Sequence, residues 1–88
     1  MSAAEDDPVT AAILAATAER GPKKSICPSE VARALAHGGA DWHAQMHAVR
    51  EAARRLARSG RIDILRKGKK QDPENFKGVI RLRIKEAE

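Results

Sequence analysis

The sequence has few aromatic residues, a single cysteine and no long apolar run. Aromatic side chains make up 2% of its residues, so an interface that stacks several bases on aromatic rings lacks its parts. The lone Cys27 cannot form an internal disulfide. No apolar stretch approaches the ~20 residues that span a bilayer, and the N-terminus is acidic where a signal peptide is basic. We therefore expect a soluble, cytoplasmic protein that does not bind membranes.

The length and charge of the chain further restrict the kind of protein it can be. A chain of 88 residues has room for one domain with one small core. Hydrophobic residues make up 42%, which is too apolar for intrinsic disorder. The formal net charge is +5, and residues 1–20 carry four acidic side chains against Arg20 alone. This asymmetry favours a polyanionic partner, although many small basic proteins bind none.

The first two helices are predicted from the residues at their ends. Asp7 can cap a helix with Pro8 in its first turn, and Gly21 followed by proline ends it after Arg20. A second helix is predicted over residues 28–36. Its start resembles a capping box in which Cys27 replaces the usual serine or threonine, so we expect Glu30 to carry more of the capping.

The third helix, residues 41–59, has two unlike faces at the helical period. We expect Asp41 to cap it and Gly60 to end it. An apolar stripe faces the core, formed by Trp42, Met46, Val49, Ala53 and Leu56. A basic row lies beside this stripe, formed by His43, His47, Arg50, Arg54 and Arg58.

Two strands follow. Residues 61–67 and 79–85 alternate apolar and polar side chains, and glycines with Asp72 and Pro73 mark turns between them. Residues 23–26 form a connector that can pair with this hairpin. The predicted fold is mainly α with a C-terminal β-hairpin, in the α+β class. We interpret it as a winged helix-turn-helix spanning residues 7–86, preceded by a disordered tail of residues 1–6.

In helix-turn-helix proteins the second helix of the pair enters the major groove, and a wing can contact the flanking backbone. We therefore expect a small regulator or accessory module that binds duplex DNA through residues 41–59 and a wing at residues 66–78. Binding should be weak for a monomer. The candidate nucleic-acid-binding residues are His43, His47, Arg50, Arg54, Arg58, Arg66, Lys67, Lys69, Lys70 and Lys77.

The sequence supports metal binding and catalysis less well than it supports binding of duplex DNA. His43 and His47 have a spacing that suits one metal ion, but no glutamate follows His43 to complete a zinc-protease motif. Cys27 lies at a helix N-terminus, where a thiol becomes more acidic, yet no base is assigned to it. We therefore expect a protein that binds neither a metal nor a cofactor and that is not an enzyme.

Alternative partners remain open. Glu51 interrupts the basic row, which weakens phosphate binding and suits a mixed-charge protein interface. The runner-up hypothesis is therefore a protein-interaction module that docks an acidic partner. RNA binding is a third possibility. The sequence does not determine the oligomeric state.

Several motifs resemble a known family. They are the run from Lys24 to Arg33 (KSICPSEVAR), Trp42, the pair Val49-Arg50, the segments Gly60-Arg61-Ile62 and Asp72-Pro73, and the run from Lys77 to Arg83 (KGVIRLR). The chain resembles a bacterial family catalogued as domain of unknown function 3253, from the first helix to the last strand. The resemblance implies a small winged-helix domain and transfers no catalytic or binding residue.

Overall fold

The computed structural model describes residues 7–37, 39 and 41–85. The predicted tail, residues 1–6, lies outside the described residues. Within them the chain forms three helices followed by a three-stranded antiparallel sheet, so the predicted α+β class and helix-then-hairpin order are confirmed. The elements are α1 (Pro8–Arg20), α2 (Pro28–Leu35), α3 (Trp42–Arg58), β1 (Ile62–Arg66), β2 (Lys69–Lys70) and β3 (Arg81–Ile84).

Helix α1 has the ends that the sequence predicts. The Asp7 carboxylate accepts a hydrogen bond from the Val9 N–H at 3.0 Å and caps the helix. At the other end Gly21 adopts a φ of 88°, and its N–H donates to the Thr17 carbonyl at 3.0 Å. A positive φ of this size suits glycine, which explains why the helix stops there.

The N-terminus of α2 is capped mainly by Glu30. Its carboxylate accepts a hydrogen bond from the Cys27 N–H at 2.7 Å, which is the reciprocal half of a capping box. The other oxygen of Glu30 lies 2.9 Å from Nη2 of Arg20, so the cap also ties α2 to the end of α1. The Cys27 sulfur accepts a hydrogen bond from the Ser29 hydroxyl.

Helix α3 begins differently from the prediction. Asp41 precedes it, but its side chain makes no capping hydrogen bond. Its φ of −85° and ψ of 12° are close to helical, whereas a capping residue is usually extended. Asp41 therefore occupies the predicted N-cap position, but the side-chain cap expected of it is absent. The apolar stripe is as predicted, with Val49, Ala53 and Leu56 buried and with Trp42 half-buried at its edge.

The sheet has one strand more than the sequence suggests. Strand β1 lies in the centre and pairs with β3 on one side and β2 on the other. The turn between β1 and β2 consists of Lys67 and Gly68, with φ values of 53° and 80°. Two successive positive φ values make the tight hairpin turn that matches the twist of the strands. The predicted connector pairing is also present, as a bridge between Ile26 and Leu82.

The core lies between the three helices and one face of the sheet. Side chains from every helix and from β1 and β3 contribute to it. Its largest fully buried members are Ile13, Ile26, Ile62, Ile64, Ile80, Leu82, Val31 and Val49. A short hairpin is not stable alone in water, so burying its apolar face against the helices is what holds it in place.

The pKa of Glu30 is lowered by its capping role. The Cys27 N–H donates to the carboxylate, and Arg20 adds a hydrogen bond and a nearby positive charge. The charge of Arg81 acts in the same direction, while partial burial opposes it. A group whose pKa is depressed by folding stabilises the fold above its unfolded pKa.

We expect Glu30→Gln to lower the free energy of unfolding near pH 7 by about 0.5 kcal/mol, since the carboxylate is well exposed to solvent. The difference from the wild type should shrink as the pH falls through the depressed pKa of Glu30, because protonation removes the same charge. Urea unfolding at a series of pH values measures this. Glu19→Gln is the control, and a difference that persists at the lowest pH would contradict the role of the charge.

Candidate nucleic-acid interface

The hairpin segment, residues 66–78, contains the predicted wing and crosses one side of α3. After β2 the chain turns at Asp72, whose carboxylate accepts a hydrogen bond from the Glu74 N–H at 2.9 Å. Phe76 then enters the core and is 8% exposed. The buried ring anchors a segment that otherwise consists of exposed turns and charged residues.

Two arginines of α3 lie over Phe76. The guanidinium carbons of Arg50 and Arg54 are each 5.2 Å from the centre of its ring, a distance suited to cation–π attraction. Arg50 also donates a hydrogen bond from Nη1 to the carbonyl of Gly78 at 3.3 Å. Two members of the predicted basic row therefore point the same way, toward the hairpin segment, and are half-buried there.

Arg54 and Arg58 each contact an acidic side chain as well, and the i,i+3 spacing of Glu51 and Arg54 favours the first of these contacts. Arg54 lies 3.7 Å from the Glu51 carboxylate, and its buried Nε has no hydrogen-bond partner among the described residues. Arg58 forms an ion pair with Glu74 of the hairpin segment. The row from Arg50 to Arg58 lies on one face, as predicted, but each member is engaged by the protein itself.

Gly78 is the point where helix and hairpin meet. Its φ is 80°, and a Cβ built on it would lie 3.5 Å from the Arg66 guanidinium carbon. Arg66, from the end of β1, therefore packs against the same residue whose carbonyl binds Arg50. Lys77 is adjacent and exposed. We call the group of Arg50, Arg66 and Lys77 the Gly78 cluster.

The remaining cations of the hairpin segment are exposed. Lys67 occupies the turn, and Lys69 and Lys70 form β2. Lys70 lies 3.9 Å from the Asp63 carboxylate, which also contacts Arg83 at 3.2 Å. Within the part of the chain that the structure describes, no carboxylate pairs with the side chains of Arg66, Lys67, Lys69 or Lys77.

The two histidines lie at the other end of α3 and are both exposed. The ring of His43 stacks on Trp42 with their centres 3.6 Å apart. Arg33 of α2 also lies over the Trp42 ring, 4.6 Å from its centre. Arg33 was not among the predicted site residues, because a contact between two helices leaves no mark in the periodicity of either one. His47 is one helical turn before Arg50 and so continues the same face.

Neither a metal site nor a membrane-spanning helix has support among residues 7–37, 39 and 41–85. These residues contain no group of three or more histidine, cysteine or acidic side chains placed to hold a metal ion. None of their helices has the length and hydropathy required to cross a bilayer.

A comparison with known families shows which family the chain belongs to. Residues 6–85 match the model of a family described as protein of unknown function (DUF3253). The chain belongs to this family. The match extends from the residue before Asp7 to the residue after β3, so all three helices and all three strands lie within the DUF3253 region. No curated protein matches the chain. The family description names no activity for this DUF3253 domain.

We expect Phe76→Leu to loosen the hairpin segment from α3, because leucine fills part of the space but offers no aromatic face to Arg50 and Arg54. The free energy of unfolding should fall by about 1–2 kcal/mol. Amide hydrogen exchange should accelerate most in residues 71–80 and least in α1 and α2.

Glu74→Gln is the control for this prediction. It removes an exposed ion pair to Arg58, which typically contributes about 0–1 kcal/mol. Equal effects of the two substitutions on stability would show that Phe76 is not the main anchor.

Proposed function

We propose that this DUF3253 domain is a winged helix-turn-helix module that binds duplex DNA through α3 and the hairpin segment. The order of elements supports the assignment, since two helices joined by a short turn are followed by an antiparallel hairpin. The bridge between Ile26 and Leu82 adds a short fourth segment to the three-stranded sheet, beside β3. In such modules the second helix of the pair enters the major groove and the hairpin follows the backbone.

The observation that carries the proposal is the meeting of Arg50 and Arg66 at Gly78. These side chains come from α3 and from β1, so helix and hairpin form one cationic surface. Lys77 extends this surface, and Lys67 and Lys69 continue it toward the hairpin turn. A surface of exposed cations that pair with no carboxylate suits the phosphates of a duplex.

The described contacts divide the predicted residues by role. Arg66, Lys67, Lys69 and Lys77 are available for phosphates. His43 and His47 lie on the N-terminal half of α3, the part that approaches base edges in helix-turn-helix complexes. Arg54 and Arg58 contact Phe76 and Glu74, and so support the hairpin segment more than they contact a ligand.

Duplex binding fits better than stacking of single-stranded bases. The sequence has one tryptophan and one phenylalanine and no tyrosine. Phe76 is buried in the core, and the Trp42 ring is already in contact with Arg33 and His43. Neither ring is therefore free to accept a row of unpaired bases.

We expect this domain to bind short duplex DNA weakly, with dissociation constants of about 10⁻⁴ to 10⁻⁶ M at physiological salt. If about five phosphates are contacted, the log-log dependence of affinity on salt should have a slope near −4.5. Fluorescence anisotropy of a labelled random duplex measures both values. A flat response to salt would reject the proposal.

We expect the double variant Arg66→Gln, Lys77→Gln to bind more weakly and to reduce the slope by about 1.8, since two phosphate contacts are lost. Neither side chain lies in the core, so thermal unfolding should change little. The matched control is Lys23→Gln, which removes a charge from the connector between α1 and α2. If Lys23→Gln loses as much affinity as Arg66→Gln or Lys77→Gln alone, binding depends on the net charge of the protein and not on a defined surface.

The same variants separate the alternative partners. Tighter association with structured RNA than with duplex DNA at equal salt would favour RNA. If the double variant no longer binds heparin but keeps its affinity for duplex DNA, an acidic protein becomes the better partner. Arg50 and Arg54 are unsuitable for this comparison, because replacing them also removes contacts to Phe76.

A further inference from the structure

Val79 is an exposed apolar residue directly beside the Gly78 cluster. Its side chain is 84% exposed, and no other large hydrophobic residue among those described is exposed in this way. The next residue, Ile80, is 2% exposed and belongs to the core. The backbone thus directs Ile80 inward and Val79 outward, which is the alternation expected as the chain approaches β3.

The surroundings of Val79 limit what can cover it. The residue follows Lys77 and Gly78, and the guanidinium groups of Arg50 and Arg66 meet at Gly78. Isolated apolar side chains are common on protein surfaces and need no partner. Here, however, the apolar group lies within a cationic surface, so a partner that covers it must offer negative charge and apolar area close together.

Duplex DNA has this combination of surfaces. Phosphates border each groove, and the sugars and base edges between them present apolar area, including the methyl group of thymine. Proteins that bind grooves frequently place aliphatic side chains against these surfaces. A purely acidic protein surface would supply the charge but would leave Val79 unburied.

We propose that Val79 makes an apolar contact with the groove of duplex DNA, next to the phosphates held by Arg66 and Lys77. The inference rests on the proposed function and identifies a contact that does not depend on charge. It therefore predicts a contribution to affinity that salt does not screen.

The test compares three substitutions at position 79 by anisotropy with the same labelled duplex. Val79→Ala removes two methyl groups, and we expect about a three- to tenfold loss of affinity. Val79→Thr keeps the shape but replaces one methyl group with a hydroxyl, and should also bind more weakly. Val79→Ile retains the apolar surface and is the matched control, with an affinity close to that of the wild type. The slope with salt should be unchanged in all three.

Two outcomes separate the inference from the proposed function. If the wild type binds with the expected salt dependence while the alanine and threonine variants bind equally well, the contact at Val79 is overturned and the proposed function stands. If the wild type does not bind duplex DNA, both fail. Thermal unfolding should be the same for all variants, because the side chain is exposed. A lowered midpoint in the alanine variant would overturn the inference in favour of a structural role.

Discussion

Two guanidinium groups of α3 rest on the ring of Phe76, and this contact determines how the hairpin meets the helices. The hairpin has one apolar face and many charges, and a two-stranded ribbon of this kind is marginal in water. Burial of Phe76 and Ile80 fixes the segment between β2 and β3 in the core. Arg50 and Arg54 then cover the ring from the outside. The position of Gly78, and with it the approach of Arg66 to α3, follows from this anchoring.

The anchoring also separates the cations into two groups. Arg50 and Arg54 of α3 are half-buried over Phe76 of the hairpin segment, so they have already lost much of their conformational freedom. The lysines of the hairpin segment are exposed, and of these only Lys70 lies near a carboxylate among the described residues. A helix that is basic in sequence therefore contributes mainly to shape, while the hairpin carries the charge available to a partner. Glu51 and Glu74 fit this division, since each offsets an arginine that supports the structure.

The local signals in the sequence were sufficient for the helices and the two long strands. Asp7, Gly21 and the Cys27 to Glu30 pattern act within a few residues, and the alternation from Ile62 onward depends on local burial. Strand β2 was missed because Lys69 and Lys70 have no apolar alternation, and their pairing depends on the turn before them. The contacts of Arg50 and Arg54 with Phe76, and of Arg58 with Glu74, could not be predicted either. They depend on where Phe76 and Glu74 lie after folding, and no periodicity within α3 encodes that.

The close association of core and surface affects which residues can report on function. In a chain this small, the residues that hold the hairpin in place are also neighbours of those proposed to bind DNA. Substituting Arg50 alters a contact with the core through Phe76 as well as the charge of the surface, so a loss of binding would have two explanations. Arg66, Lys77 and Val79 lie outside the core and are exposed. Changes at these three positions therefore act on the surface with little effect on the fold, and charge and apolar contact can be separated there.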